Sequence, residues 1–232
     1  MQIDVLDKGY VRYVDHMGTD LSVVNAARVS FDKESMKFTD QDKRLIKFLA
    51  ENEHSAPFRH AFVSLECYAP LMVARQWWKY VVGSDHTMDA WNESSRRYVT
   101  EDVKFYIPHP GEWRSAPENK KQGSGDIVDT EIGMEMTQSL MDYCYDGEVR
   151  YEHAMNSGVC AEQARLFLPA YGMYIRWRWS TSLQSVCHFL NQRIAHDAQK
   201  EIQLYALAVN EIVRPLYPAS IEAMVDLGDG EG

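Results

Sequence analysis

The stretch His60-Ala61-Phe62-Val63-Ser64-Leu65-Glu66-Cys67-Tyr68-Ala69-Pro70-Leu71-Met72-Val73-Ala74-Arg75-Gln76-Trp77-Trp78-Lys79-Tyr80-Val81-Val82 changes its period at the proline. Before it the chain alternates. Ala61, Val63, Leu65 and Cys67 point one way, and Phe62, Ser64, Glu66 and Tyr68 the other, which is the period of a strand over 60–68. Pro70 suits the first position of a helix, where the missing N–H would have had no partner. The spacing predicts a helix from there to about Val82, with Leu71, Ala74, Trp78 and Val81 as its buried stripe.

Upstream, residues 2–6 and 10–16 read as short strands around Gly9, and 20–29 as a helix opened by Asp20. A helix over 40–51 starts with Thr39 as N-cap and Asp42 three places on, and its apolar face is Leu45, Phe48 and Leu49. Downstream, 83–98 is polar and aperiodic and reads as a loop. Residues 108–126 hold three prolines and three glycines and form the most loop-like stretch. A long helix follows, with Ile132, Met136, Leu140 and Tyr143 on one stripe. Residues 161–168 form a short helix that Pro169 stops, and 172–180 alternate as a strand. Two helices, 182–192 and 195–213, close the chain, the last with Ala198, Ile202, Tyr205, Val209 and Ile212 at helical spacing. The expected fold class is α/β in the α+β sense, mostly helical with a small sheet. Strict βαβ alternation, G-x-G-x-x-G and a P-loop are missing, so no Rossmann sheet is expected. One domain over 1–227 with a frayed tail at 228–232 accommodates the pattern.

The composition narrows the class. The chain has 232 residues, 45% hydrophobic and 25% charged, which is ordinary for a globular protein. No stretch approaches the roughly 20 apolar residues of a membrane span, and the start lacks a basic region followed by an apolar run. A cytoplasmic protein with no membrane partner is expected. The net charge of −10 argues against nonspecific binding to nucleic acid. Cys67, Cys144, Cys160 and Cys187 form no C-x-x-C pair and read as reduced structural thiols. No histidine spacing suits a metal, and no serine-nucleophile elbow is present.

Three places gather charge that an acidic protein would need for an anionic ligand. Gln76 and Lys79 are three apart on the predicted helix, and Arg75 and Lys79 four apart, so they share a polar face. That face suits a phosphate and a base edge, and equally a solvated surface over a tryptophan core. The segment Asn92-Glu93-Ser94-Ser95-Arg96-Arg97-Tyr98 combines hydroxyls, guanidiniums and backbone N–H groups, as a phosphate cradle does and as many surface loops do. Arg193 falls on or beside the stripe of Val186 and Leu190. A guanidinium keeps its charge when buried, so it needs an anionic or strongly polar partner, unless it snorkels from the helix end. Arg165, three before Leu168, raises the same question.

Taken in order these pieces form a pattern. Ser-Ala-Pro-Phe-x-His stands at 55–60, Ala-Pro-x-x-Val-Ala-Arg-Gln-Trp at 69–77, and Asn-Glu-x-Ser-x-Arg-Tyr at 92–98. Then come Ala-Arg-x-x-Leu-Pro at 164–169, His-Phe-Leu-x-x-Arg at 188–193 and Ala-Gln-x-Glu-Ile at 198–202. Together with Ala26-Ala27-Arg28-Val29-Ser30-Phe31, the chain resembles the flavin-dependent thymidylate synthases (ThyX) to about residue 213.

The resemblance implies that family's fold and a homotetramer with active sites at subunit interfaces. It implies bound FAD, NADPH as reductant, methylenetetrahydrofolate as carbon donor and reductive methylation of dUMP to dTMP, with no cysteine nucleophile. By position, Arg193 matches the arginine that polarises the uracil. Gln76, Lys79, Glu93, Ser95, Arg97 and Arg165 match nucleotide-binding positions, Ser95 and Arg97 holding the phosphate. Ser30, His54, Lys79, Asn92, Glu93 and His188 match flavin-binding positions.

The chain also departs from the family pattern. Lys79-Tyr80-Val81 stands where the signature has Arg-His-Arg, and lysine keeps the charge without the bidentate fork. A polar insertion at about 85–91 precedes Asn92, with His86 and Trp91 as substitute contacts. Asp197 replaces a frequent histidine and Gln184 a frequent arginine. Two readings compete with thymidylate synthesis: the same chemistry on another pyrimidine nucleotide such as dCMP, and nucleotide binding without catalysis.

Overall fold

The structure, a computed structural model, describes residues 1–29, 34–82, 90–94, 102–117 and 123–226, with Val81 and Val82 described by their backbone alone. In chain order the elements are β1 (Gln2–Val5), β2 (Gly9–Met17), α1 (Asp20–Arg28), α2 (Asp40–Glu51), β3 (Phe62–Pro70), α3 (Leu71–Val82) and β4 (Ala90–Glu93). They continue with α4 (Thr130–Asn156), α5 (Ala161–Ala164), β5 (Tyr174–Ser182), α6 (Leu183–Arg193), α7 (Lys200–Val213) and α8 (Pro218–Met224). The strands form one antiparallel sheet in the order β1-β2-β3-β5-β4.

The central pair explains the core. Leu65 faces Trp179 and Cys67 faces Trp177 across β3 and β5, and cross-strand partners share a face. That face carries Val63, Leu65, Cys67, Ile175, Trp177 and Trp179, all buried, and α3, α6 and α7 pack with it in one hydrophobic cluster. The opposite face holds Tyr10, Arg12, Glu66, Arg176 and Arg178. Glu66 accepts from Tyr10 at 2.8 Å and from Arg12 at 2.6 Å. Burial pushes its carboxyl upward, but the bonds from Tyr10 and Arg12 prevail and hold it below the usual range.

Several expectations about phase are corrected. Trp78 is 46% exposed, and the buried stripe of α3 is Val73, Ala74 and Trp77. Trp77 wins because the aromatic cluster lies on its side: it stacks on Phe189 at 4.5 Å and meets Trp177 and Trp179 edge-on. Pro70 ends β3, and the helix begins at Leu71, whose N–H bonds Met173. In α2 the buried apolar residues are Ile46 and Leu49, while Phe48 stands out against His54. The capping box of Thr39 and Asp42 is present as expected.

The expected loop over 83–98 contains β4, which pairs with β5; residues 83–89, with His86, and 95–101 lie outside the described residues. The 161–168 helix is one α turn followed by a tighter 3-10 turn, Arg165–Phe167, and the last long helix starts at Lys200 instead of 195. The stripe of α4 is largely exposed: Ile132 is 50% accessible and Tyr143 60%, while Gly133, Cys144, Gly147 and Ala154 face inward. Gly147 is required there. A Cβ would come within 2.6 Å of Pro169 and 2.9 Å of the Phe167 carbonyl, so glycine lets the Arg165-bearing turn sit against α4. The tail expected at 228–232 lies outside the described residues.

Candidate active site

α3 and α6 meet at an aromatic wedge that fixes the expected polar residues. Trp91 of β4 stacks on Trp177 at 4.7 Å, Trp177 meets Trp77, and Trp77 stacks on Phe189. Tyr80 packs edge-on against Phe189 at 5.4 Å and lies 5.6 Å from the His188 ring. Arg193, at the last position of α6, places its guanidinium carbon 5.2 Å from the Tyr80 ring centroid. Its side chain is half-buried, and its Nε is buried without a hydrogen-bond partner among the described residues. A guanidinium stays charged in such a place, so an unbonded donor there is set for an acceptor that the described residues do not supply. Burial raises the Tyr80 phenol above its ordinary value, with the Arg193 charge pulling the other way.

Gln76 lies one turn before Tyr80 and is half-buried. Its amide nitrogen donates to Gln199 Oε1 and, at 3.4 Å, to the Met72 carbonyl. Gln199 Nε2 donates to Glu201 Oε2 at 2.9 Å, and Arg114 Nη2 bonds Glu201 Oε1 at 2.6 Å. Arg114 and Glu201 line a cavity of about 340 Å³ with Met72, Tyr106, Trp113 and Leu140. On the sheet edge, Asn92 pairs with Arg178 and Glu93 with Trp177, so Glu93 projects to the helix-covered side and Asn92 to the other. Arg59 donates to Gln184 at 2.5 Å, so a guanidinium from the Ser-Ala-Pro-Phe-x-His segment stands beside the position where the family pattern has arginine.

The structure therefore brings together Gln76, Lys79, His188 and Arg193 on α3 and α6, with Glu93 at the neighbouring sheet edge. It does not bring Arg165 or His54 to them within one chain. Arg165 is exposed on the 3-10 turn packed on α4, and His54 is exposed beside α2. Both had been placed at the site by motif, and motif order does not say which subunit supplies a residue. Ser30, Ser95 and Arg97 lie outside the described residues. Sequence reasoning missed Tyr80 as the partner of Arg193 and missed Arg114, Gln199 and Glu201. Gln199 and Glu201 left a signal in the Ala-Gln-x-Glu-Ile motif at 198–202, and Glu201 is only 4% exposed in the fold. Arg114 left none, because its Pro- and Gly-rich surroundings have no period.

The chain matches the thymidylate synthase complementing protein family over residues 12–219 and belongs to it. A flavin-dependent thymidylate synthase of Thermotoga neapolitana is 37% identical over 228 residues, 97% of this chain and 94% of its own. The protein of that name from Wolbachia pipientis wMel is 35% identical over 222 residues, 96% of this chain and 75% of its own. Among solved structures, the UMP/dUMP methylase PolB from Streptomyces cacaoi, bound with 5-Br dUMP, matches with a TM-score of 0.80. The two are 25% identical, and the match covers 95% of this chain and 96% of that one.

Proposed function

We propose that this chain catalyses the reductive methylation of dUMP to dTMP, with FAD as prosthetic group, methylenetetrahydrofolate as carbon donor and NADPH as reductant. The observation that carries the reading is the half-buried Arg193 with its unbonded Nε, at the end of a helix whose other site residue, His188, is exposed beside it. A fixed cation in a partly dry setting stabilises negative charge that develops on a pyrimidine ring, and needs no rearrangement to do so. The names of the relatives, flavin-dependent thymidylate synthases at 37% and 35% identity over nearly the whole chain, support the same reaction.

The donor set fits a flavin. Lys79 is exposed in the last turn of α3, His188 is exposed over Tyr80, and Asn92 and Glu93 edge the sheet nearby. When bound, FAD would supply the reducing equivalents and relay the one-carbon unit. Arg193 would orient and polarise the pyrimidine, Gln76 would fix the nucleotide beside it, and the tryptophan wedge would keep water from the buried side.

Assembly follows from the same reading. Arg165 and Arg193 sit on different parts of one chain, and α4 exposes Met134, Met141 and Tyr145 on one face. A homotetramer would cover that apolar face and bring Arg165 of one subunit to Arg193 of another. The direct assay follows tritium release from 5-labelled dUMP with NADPH and methylenetetrahydrofolate. Release is the expected result. Release from labelled dCMP in place of dUMP would overturn the substrate, and a protein that never takes up flavin would overturn the chemistry.

A further inference from the structure

We propose that Glu201, acting through Gln199, locks the carboxamide of Gln76 with its oxygen outward, so that the ligand must present a hydrogen-bond donor to it. Glu201 and Gln199 are then positioning residues. The inference rests on the reading that Gln76 touches the nucleotide.

The argument is one of donor and acceptor count. A carboxamide has two ends of nearly equal size, one a double donor and one an acceptor, and on its own it turns either way. A carboxylate only accepts. Glu201 is buried and fixed on one oxygen by Arg114 at 2.6 Å, so its second oxygen demands a donor. Gln199 supplies it with Nε2 at 2.9 Å. That leaves Gln199 Oε1 at the far end, and an amide oxygen also only accepts. Gln76 has to answer with its nitrogen, and does; the second hydrogen of that nitrogen goes to Met72 O. Both donors of Gln76 are consumed inside the protein. Its Oε1 accepts no bond among the described residues.

One half-buried charge pair thus sets the polarity of a side chain two amides away. Gln76 faces its ligand as an acceptor. Phosphate oxygens, also acceptors, would be repelled there, so the expectation that this amide serves a phosphate is narrowed. On dUMP the available donors are the ring N–H and the sugar hydroxyl.

The test compares equilibrium binding of dUMP, 3-methyl-dUMP, which lacks the ring N–H, and 2′,3′-dideoxy-UMP, which lacks the sugar hydroxyl. It uses the flavin-loaded full chain, wild type and Gln199→Met. Methionine keeps the length of the side chain and leaves the Arg114–Glu201 pair in place. The wild type is expected to bind one of the two analogues about tenfold more weakly than dUMP, and which one identifies the donor. In Gln199→Met that ratio is expected to fall to about twofold or less, because Gln76 can then turn. Glu201→Gln, whose amide can face either way, should give an intermediate ratio. If it fails to fold, because Arg114 loses its counter-charge, Gln199→Met still decides. A packing role alone would weaken all three ligands equally. An unchanged ratio in Gln199→Met, or a wild type indifferent to both analogues, overturns the relay and leaves the nucleotide site standing. No binding of dUMP to the wild type overturns the nucleotide reading and takes the relay with it.

Discussion

Arg193 lies with its guanidinium carbon 5.2 Å from the centroid of the Tyr80 ring, while Nε of the same side chain is buried without a partner among the described residues. The ring holds the cation by its π face and takes none of its N–H groups. Arg193→Ala is expected to lower kcat about 100-fold or more and to shift the thermal midpoint by only about 3 °C. Arg193→Lys keeps charge but not the planar fork and should recover part of the rate. Near-wild-type turnover in the alanine variant removes the catalytic role. Tyr80→Phe keeps the π face and should retain kcat within about twofold. Burial raises the phenol above its ordinary value, so no activity change near neutral pH belongs to its ionisation.

Trp77 and Trp78 are neighbours in sequence with opposite fates. Trp77 is fully buried against Phe189, Trp177 and Trp179, whereas Trp78 is 46% exposed. Trp77→Ala is expected to cost about 3–5 kcal/mol, and Trp78→Ala about 0.5 kcal/mol. Chemical denaturation of the two variants measures this directly. Equal losses would mean that the helix is turned differently.

That pair also shows how far the sequence could be read. The strand-proline-helix stretch gave the right elements, since a change from period 2 to period 3.6 is a property of the chain itself. The phase of the helix was not available, because adjacent tryptophans offer two equally apolar stripes and only the packing of β5 and α6 chooses between them. Ile46 in place of Phe48 on α2 is the same kind of choice. β4 was hidden because Ala90–Glu93 is short and polar and is held by its pairing with β5 more than by its own pattern. At the site, Arg193 was legible as a charge on an apolar stripe. The pairing of Glu201 with Arg114 was not, because the two are 87 residues apart and meet only in the fold.

Asp42 links stability to pH. It is buried, pairs with Arg28 at 2.6 Å, and accepts from the Thr39 N–H and O–H. Burial by itself raises its carboxyl, but the Thr39 bonds and the Arg28 charge outweigh that and lower it below its ordinary value. A lowered folded-state value means that the unfolded chain binds the proton more readily. The stabilisation is therefore full above about pH 4 and is lost as the pH falls through the folded-state value. Asp42→Asn should lower the midpoint near neutral pH and flatten the acid limb of the stability curve. An unchanged acid limb would show that other carboxyls govern it.

The thiols separate by exposure. Cys67, Cys144 and Cys187 are buried, and burial raises all three, Cys144 to about 11 and Cys187 to about 12. Cys160 is exposed before α5. Iodoacetamide at neutral pH should label Cys160 first, with the other three reacting only after unfolding, because the thiolate is the reactive form. Mass spectrometry gives the order. Full labelling of Cys160 with activity retained is expected, and loss of activity in step with labelling would bring a cysteine into the chemistry.

Arg165 and Arg193 provide the sharpest test of assembly. Arg165 is exposed on a turn that Gly147 holds against α4, and Arg193 closes α6 beside Tyr80. If one pocket uses both, the two come from different subunits, and two dead variants can repair each other. Arg165→Ala and Arg193→Ala should each be nearly inactive alone. Unfolded together in equal amounts and refolded, they should recover roughly one quarter of wild-type activity, because each site draws its two arginines independently from the mixture. Adding Tyr145→Glu to both chains puts a charge on the apolar face of α4 and should abolish the recovery, with a smaller species on a sizing column. Mixtures that never exceed the sum of the two parents would place both arginines in one subunit's site or remove Arg165 from it.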